Sequence, residues 1–326
     1  MDSSRRICTT LFMAMVIAGP VAAAAPALTQ VSELNAAGRP AGVPLDYVVT
    51  PHGFFHPSCV GQLGEDERLA ADGSVVRPDG RVIAAAACAY PRYGARGELF
   101  GSNAEAGPPL PAFNGWIASS NSNANLTPPA REMVANFTVP SGPTANVGQV
   151  LYYFPGLEDG GAVQTILQPV LAWNGFNDAA WTMTNWNCCK SGKTWHGPTI
   201  SVATGHKIHG AMKGSSCDTN TQVCANWVIL SKDKTTGQKT KFQTDAYGQA
   251  FDWYFGGAKE AYGVSTCSHF PANGSIRFTN IHVYDLNGVE TTPANWNTFI
   301  AGGAPPCNYV VTPTTHTTTI TFDTAP

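Results

Sequence analysis

The sequence predicts an all-β protein, an antiparallel sandwich or barrel, and three observations carry that prediction. Only 13% of the 326 residues are charged, while glycine (33) and proline (24) are abundant. That composition fits a chain of strands and turns better than a helical one. From residue 115 onward, β-branched and aromatic runs recur at short spacing. Turn signals divide them: Asp159-Gly-Gly161, Ser191-Gly192, Thr235-Thr-Gly237, Asn273-Gly274 and Asn287-Gly288. No convincing amphipathic helical pattern interrupts the series.

In chain order, residues 1–25 read as a secretory signal. Arg5 and Arg6 form the positive start, residues 7–17 the apolar core, and Gly19-Pro20 breaks it ahead of a run of alanines. The apolar run is short for a membrane span, and no other stretch approaches the roughly 20 residues a span needs. The mature protein is therefore expected outside the membrane, exported to an extracellular or periplasmic space. Residues 26–114 form a leader with a small β-hairpin around Pro78-Asp-Gly80, either a disulfide-pinned extension or a removable pro-segment. Within it, His52 and His56 read as loop histidines, and residues 92–114 are linker-like in their glycine and proline content.

Strands are predicted at 131–139, 150–154, 163–173, 180–186, 199–203, 207–212, 225–233, 239–244, 250–255, 275–284 and 309–312. Residues 115–312 make up the sandwich domain, and 313–326 a threonine-rich tail. Cys8 leaves with the signal, and the eight remaining cysteines are even in number, as disulfides in an exported chain require. Neighbourhood favours Cys59–Cys88, Cys217–Cys224 and Cys267–Cys307. Cys188 and Cys189 then either bridge each other or take separate partners.

A formal net charge of −3, with no basic cluster, argues against nucleic acid as a partner. The chain lacks G-x-S-x-G and H-E-x-x-H, which removes the nucleophile elbow and the thermolysin-like zinc site. His206 and His209, three apart on a predicted strand, point to opposite faces and make a poor metal pair. No metal or cofactor is expected. The notable polar residue is Gln168, inside an otherwise apolar strand. It is either a core amide that finds partners or a group that faces a cleft and handles a ligand. Among carboxylates, Glu158, Asp252 and Glu260 are the candidates, and a pair of them across a cleft would suit a glycosidase.

Ala135-Asn-Phe-Thr-Val-Pro140, Leu151-Tyr-Tyr-Phe-Pro-Gly-Leu-Glu158 and Thr165-Ile-Leu-Gln-Pro-Val-Leu-Ala-Trp173 together resemble the glutamic peptidases called eqolisins. That family shows an Ala-x-x-x-Val-Pro strand, a Trp-Val-Gly-Ile-Asp turn and an Ile-Leu-Gln strand in the same order. Thr235-Thr-Gly-Gln238 matches another of its turns. Phe255-Gly-Gly-Ala-Lys-Glu260, Ser268-His-Phe-Pro271 and the strand from Arg277 to Asp285 are similar to the related neprosin group. The resemblance covers about residues 115–290. Two departures stand out: Ala258 and Lys259 separate Gly-Gly from Glu260, and Pro169, which cannot donate to a ladder and so predicts an edge or bulge, follows Gln168.

The resemblance implies a concave concanavalin/lectin-like antiparallel β-sandwich of jelly-roll type. It implies an acid endopeptidase with Gln168 and Glu260 as the catalytic pair, acting as a monomer on polypeptide. Tyr153, Trp173 and Tyr262 would line the groove, with Glu158 near the family's aspartate. The alternative on the same fold is a non-catalytic carbohydrate-binding module.

Overall fold

A computed structural model describes residues 31–100, 112–123, 126–161, 166–176, 179–245 and 247–325. The signal expected at 1–25 and part of the linker lie outside them. The described residues contain strands and three short 3-10 turns, and no helix long and apolar enough to cross a membrane.

The extension supplies β1 (Val48–Thr50), β2 (Gly53–Phe55), β3 (Val60–Gln62), β4 (Arg68–Leu69), β5 (Val75–Val76) and β6 (Val82–Ile83). Then come β7 (Phe113–Asn121), β8 (Ala130–Thr138), β9 (Val150–Glu158), β10 (Ile166–Trp173) and β11 (Trp181–Cys188). The middle of the chain gives β12 (Thr194–His196), β13 (Ile200–Val202), β14 (Lys207–Asp218), β15 (Val223–Asp233) and β16 (Lys239–Thr244). The last are β17 (Trp253–Val264), β18 (Ser275–Asp285), β19 (Asn297–Ile300), β20 (Val310–Thr314) and β21 (Thr317–Thr321).

Two large sheets form. One runs β19-β7-β17-β9-β10-β11-β12-β3, with β13 also on β11, and the other runs β20-β21-β18-β8-β14-β15-β16-β4-β5-β6. The extension is thus no free-standing subdomain: β3 and β4 add in parallel to the sheet edges at β12 and β16. The threonine-rich tail is β21, antiparallel to β18.

Strand periodicity explains the layers. Leu151, Tyr153, Leu157, Leu167 and Leu171 point into the core between the sheets, with Phe137, Met212, Ile229 and Phe278 from the other side. Their neighbours Val150, Tyr152, Phe154, Ile166, Val170 and Ala172 point the opposite way, into a second apolar cluster. Val31, Leu34, Val43, Tyr47, Val48, Val49 and Phe54 of the extension close that second cluster. Strands β9 and β10 are therefore buried on both faces, which accounts for their nearly continuous apolar sequence.

Disulfides join Cys59–Cys88, Cys217–Cys224 and Cys267–Cys307, and Cys188 bridges to its neighbour Cys189.

Candidate active site

Strands β17, β9 and β10 lie side by side, and each carries polar groups to the face covered by the extension. Gln168 sits on β10 directly across from Trp186. Its chain neighbour Pro169 turns to the other sheet, where a Cβ added to Gly210 would fall 2.8 Å from the proline ring. Pro169 was expected at an edge or bulge, yet β10 is an interior strand. The ladder accommodates it differently: β9–β10 register is continuous on either side, and it sets Pro169 opposite Pro155. Neither ring nitrogen carries a hydrogen, so no donor is wasted there. Gln168 is fully buried, and among the described residues neither its Oε1 nor its Nε2 has a hydrogen-bond partner.

Glu260 owes its direction to a bulge. Phe255 pairs with Gly156 and Ala258 with Phe154, so the two glycines Gly256 and Gly257 stand against the single residue Pro155. One extra residue reverses the alternation. It turns Ala258, Glu260 and Tyr262 to the covered face and Lys259 to the core between the sheets. The bulge needs glycine at close quarters: a Cβ on Gly257 would lie 2.3 Å from the Phe278 ring. Lys259 consequently ends with its Nζ 3.3 Å from the ring centres of both Phe270 and Phe322, without a hydrogen bond.

The Tyr262 hydroxyl donates to Glu260 Oε1 at 2.7 Å, and Oε2 has no partner. Burial holds this carboxyl well above the usual range, and the charge of Glu158 pushes the same way. The hydrogen bond from Tyr262 and the nearby Trp116 indole work against that rise. Trp116 is its cross-strand neighbour on β7, and Tyr152 its neighbour on β9. Glu158, expected in a turn, ends β9 instead and stands between Ile166 and Trp253. It is half-buried, and burial pushes its carboxyl up to about 8.

Register fixes the relation between the two expected catalytic residues. They share a face, with Glu260 level with Tyr152 and Gln168 level with Gly156. That is roughly 10 Å across two strand spacings and about 13 Å along the strand. No hydrogen bond joins them, and Phe154 lies in the strip between. Glu158 is the carboxylate diagonal to Gln168 on the adjacent strand.

Two of the residues expected in the groove are elsewhere. Tyr153 and Trp173 are on the odd positions of β9 and β10 and belong to the core between the sheets, where both pack on Trp181. Period-two alternation puts Tyr152, not Tyr153, beside Glu260. Tyr152, Trp116 and Trp186 were not singled out in the sequence, and only the register of the sheet brings them together with Gln168 and Glu260.

The β1–β2 turn lies across this strip. Tyr152 donates its hydroxyl hydrogen to the Val49 carbonyl at 3.0 Å, and the Gly53 N–H donates to the Tyr262 hydroxyl oxygen at 3.1 Å. Phe54 packs edge-on against Tyr262, and His52 edge-on against Trp186. Burial, with Arg92 adding, pushes the His52 imidazole down to about 3, so it sits there uncharged. Gly53 has φ +95°, and a Cβ on it would meet the Tyr93 carbonyl oxygen at 2.2 Å. Arg39 organises the segment from within, donating to the carbonyls of Leu34, Pro44 and Tyr47.

No family profile matches the chain, and no curated protein matches it in sequence. Among solved structures it is similar to scytalido-glutamic peptidase bound to a transition-state analogue inhibitor. Identity is 15% and TM-score 0.47, over 64% of this chain and 98% of that one. SCP-B, an eqolisin-family peptidase in complex with the tripeptide Ala-Ile-His, aligns at 15% identity and TM-score 0.46 over the same shares. Aspergilloglutamic peptidase from Aspergillus niger aligns at 15% identity and TM-score 0.40, over 53% of this chain and 98% of that one.

Proposed function

We propose that the chain is a secreted glutamic-type endopeptidase whose covered face is its active site, with Gln168 and Glu260 as the catalytic pair. The observation that carries this reading is a pair of orphans on one face. Both polar atoms of the Gln168 amide and one oxygen of Glu260 are buried without a partner. An unsatisfied buried polar group costs about 1–3 kcal/mol. Two in one strip make sense as groups kept for a ligand. In this role Glu260 takes a proton from water and returns it to the leaving amine. Gln168 orients the water and donates its NH2 to the developing oxyanion, an interaction worth about 3–4 kcal/mol in comparable sites. With the extension in place the two side chains stand too far apart to share one water, and the strip between them has to close once the cover is removed.

Residues 26–114 act in this proposal as a pro-segment. The support is chemical: the β1–β2 segment satisfies the tyrosines of the face with its backbone, through the Val49 carbonyl and the Gly53 amide. A face built to bind extended backbone suits a polypeptide substrate. Removing the cover returns water to Glu260 and lets its carboxyl titrate in the acid range, where the enzyme is expected to work.

The test is cleavage of a denatured protein by the purified chain at acid pH, before and after limited proteolysis of the extension. Activity that appears with processing, resists pepstatin and chelators, and is lost in Glu260→Gln and Gln168→Ala supports the proposal. Processed, folded protein that cleaves nothing while binding an oligosaccharide array would replace it with the carbohydrate-binding alternative.

A further inference from the structure

On the outer side of the ten-stranded sheet, away from the covered face, three residues distant in sequence converge. His282 projects from β18 between Ile281 and Val283, both fully buried on the inner side. Glu290 follows in the segment that returns to bridge Tyr284, and His316 occupies the tight turn between β20 and β21. Their candidate ligand atoms all lie within 4.8 Å of one another. The two imidazole rings are 4.6 Å apart between centres and tilted by 32°.

The hydrogen bonds decide what these rings can do. His282 Nδ1 is 2.8 Å from Glu290 Oε1, and His316 Nδ1 is 2.9 Å from the Ile281 carbonyl oxygen. Both partners are pure acceptors at neutral pH, so each Nδ1 carries the hydrogen and each Nε2 presents its lone pair. A second-nitrogen bond to a carboxylate or a backbone carbonyl is the usual support of a metal-binding histidine. Here both histidines have one. Glu290 is itself fixed: Thr292 donates to its Oε1 at 2.9 Å, and the Val283 N–H holds the Thr292 hydroxyl at 2.9 Å.

We propose that the Nε2 atoms of His282 and His316, with Glu290 as the carboxylate that supports His282 from behind, form a surface site for a borderline transition-metal dication such as Zn²⁺ that ties the C-terminal β20–β21 hairpin to β18. Imidazole ligands select zinc, nickel or copper over magnesium or calcium. Ligand atoms around a tetrahedral zinc sit roughly 3.4 Å apart. The two Nε2 atoms have to come to that spacing, which half-exposed side chains manage by small rotations. His282, Glu290 and His316 follow no recognised ligand spacing in the sequence and meet only through the sheet.

Calorimetric titration of the purified full-length chain with zinc chloride at pH 7 tests the site, with thermal melts in parallel. Saturable binding with a rise in melting temperature is expected. Glu290→Gln should bind about ten- to a hundredfold more weakly, and the His282→Ala/His316→Ala variant should lose both the binding and the rise. Cobalt substitution gives a second readout, visible d–d absorption present in the unsubstituted protein and absent from the double variant. Circular dichroism checks that the variants are folded, and Glu290→Gln, which keeps both imidazoles, covers the case where the double variant is not. Wild-type protein that takes up zinc no more tightly than a folded variant, or not at all, overturns the proposal.

Discussion

Glu260→Gln is predicted to make the full-length protein more stable at neutral pH while abolishing proteolysis. The substitution is close to isosteric and keeps an acceptor for the Tyr262 hydroxyl, so the 2.7 Å hydrogen bond can persist. What it removes is an ionisable group that the folded protein holds above its usual range through burial. An unfolded glutamate loses its proton near pH 4.3. Above that value the native carboxyl still holds a proton that the unfolded chain has released. Stability then falls as pH rises from the unfolded value toward the raised folded one. Below pH 4.3 both states are protonated and no penalty remains. Each pH unit over which only the native carboxyl keeps its proton removes about 1.4 kcal/mol of stability. In domains of 150–250 residues a kcal/mol corresponds to roughly 2–4 °C in melting temperature, and in a chain of 326 to somewhat less. The variant should therefore melt several degrees higher than wild type at pH 7.5, with no gain at pH 4. Calorimetry of both proteins across that range is the assay. A variant that melts lower at pH 7.5, or gains equally at both pH values, would refute the reasoning.

Three further outcomes follow from the same strip. Gln168→Leu removes an amide with no partner at either end and should raise stability by about 1–3 kcal/mol in chemical denaturation, again with loss of activity. Lys259→Met should stabilise the fold by about 1–3 kcal/mol at pH 6 and less at pH 10. Burial holds the native amine well below its usual range, so below about pH 10.4 the unfolded chain binds a proton that the native state lacks. Wild-type stability should accordingly rise with pH up to that point, and the variant should not share the rise. Gly257→Ala forces a methyl to within 2.3 Å of the buried Phe278 ring and should cost about 1–3 kcal/mol, read as a lower midpoint in urea.

Much of the sandwich was legible because strand alternation and turn chemistry are local. The strand predicted at 239–244 is β16, and the one at 275–284 is β18 with one residue added. The strands that bear the site were read short for a common reason. Proline and glycine normally punctuate, so Pro155-Gly156 looked like the end of one strand and Gly256-Gly257 like the end of another. In the folded chain β9 runs on through Glu158 and β17 through Val264. The proline found a partner that needs no donor, and the glycines became a bulge. Facing was harder still. Where both faces of a strand are buried, hydrophobicity carries no parity signal, and Tyr152 and Tyr153 look alike. Sequence alone therefore assigns Tyr153 to the groove, while the register gives that place to Tyr152.

Several irregularities lie together. Pro155 opposite Pro169, the Gly256-Gly257 bulge against the same Pro155, the unpartnered Gln168 and the half-partnered Glu260 all fall on three adjacent strands. Elsewhere in the same sheet a buried amide is satisfied: Asn185 donates to the Thr240 carbonyl and accepts from Ser231. Gln249, in the segment before β17, is a further buried amide with no partner at either end. Departures from local rules that gather in one place mark a surface shaped for something other than stability. Lys259 shows what the bulge entails. Turning Glu260 toward the covered face sends its chain neighbour, a lysine, into an aromatic cage in the core, where no acceptor meets it. A fold that tolerates a buried amine to keep one carboxyl facing outward has its constraint at that carboxyl. Lys259→Met and Glu260→Gln separate the two: both should raise stability, and only the second should remove activity.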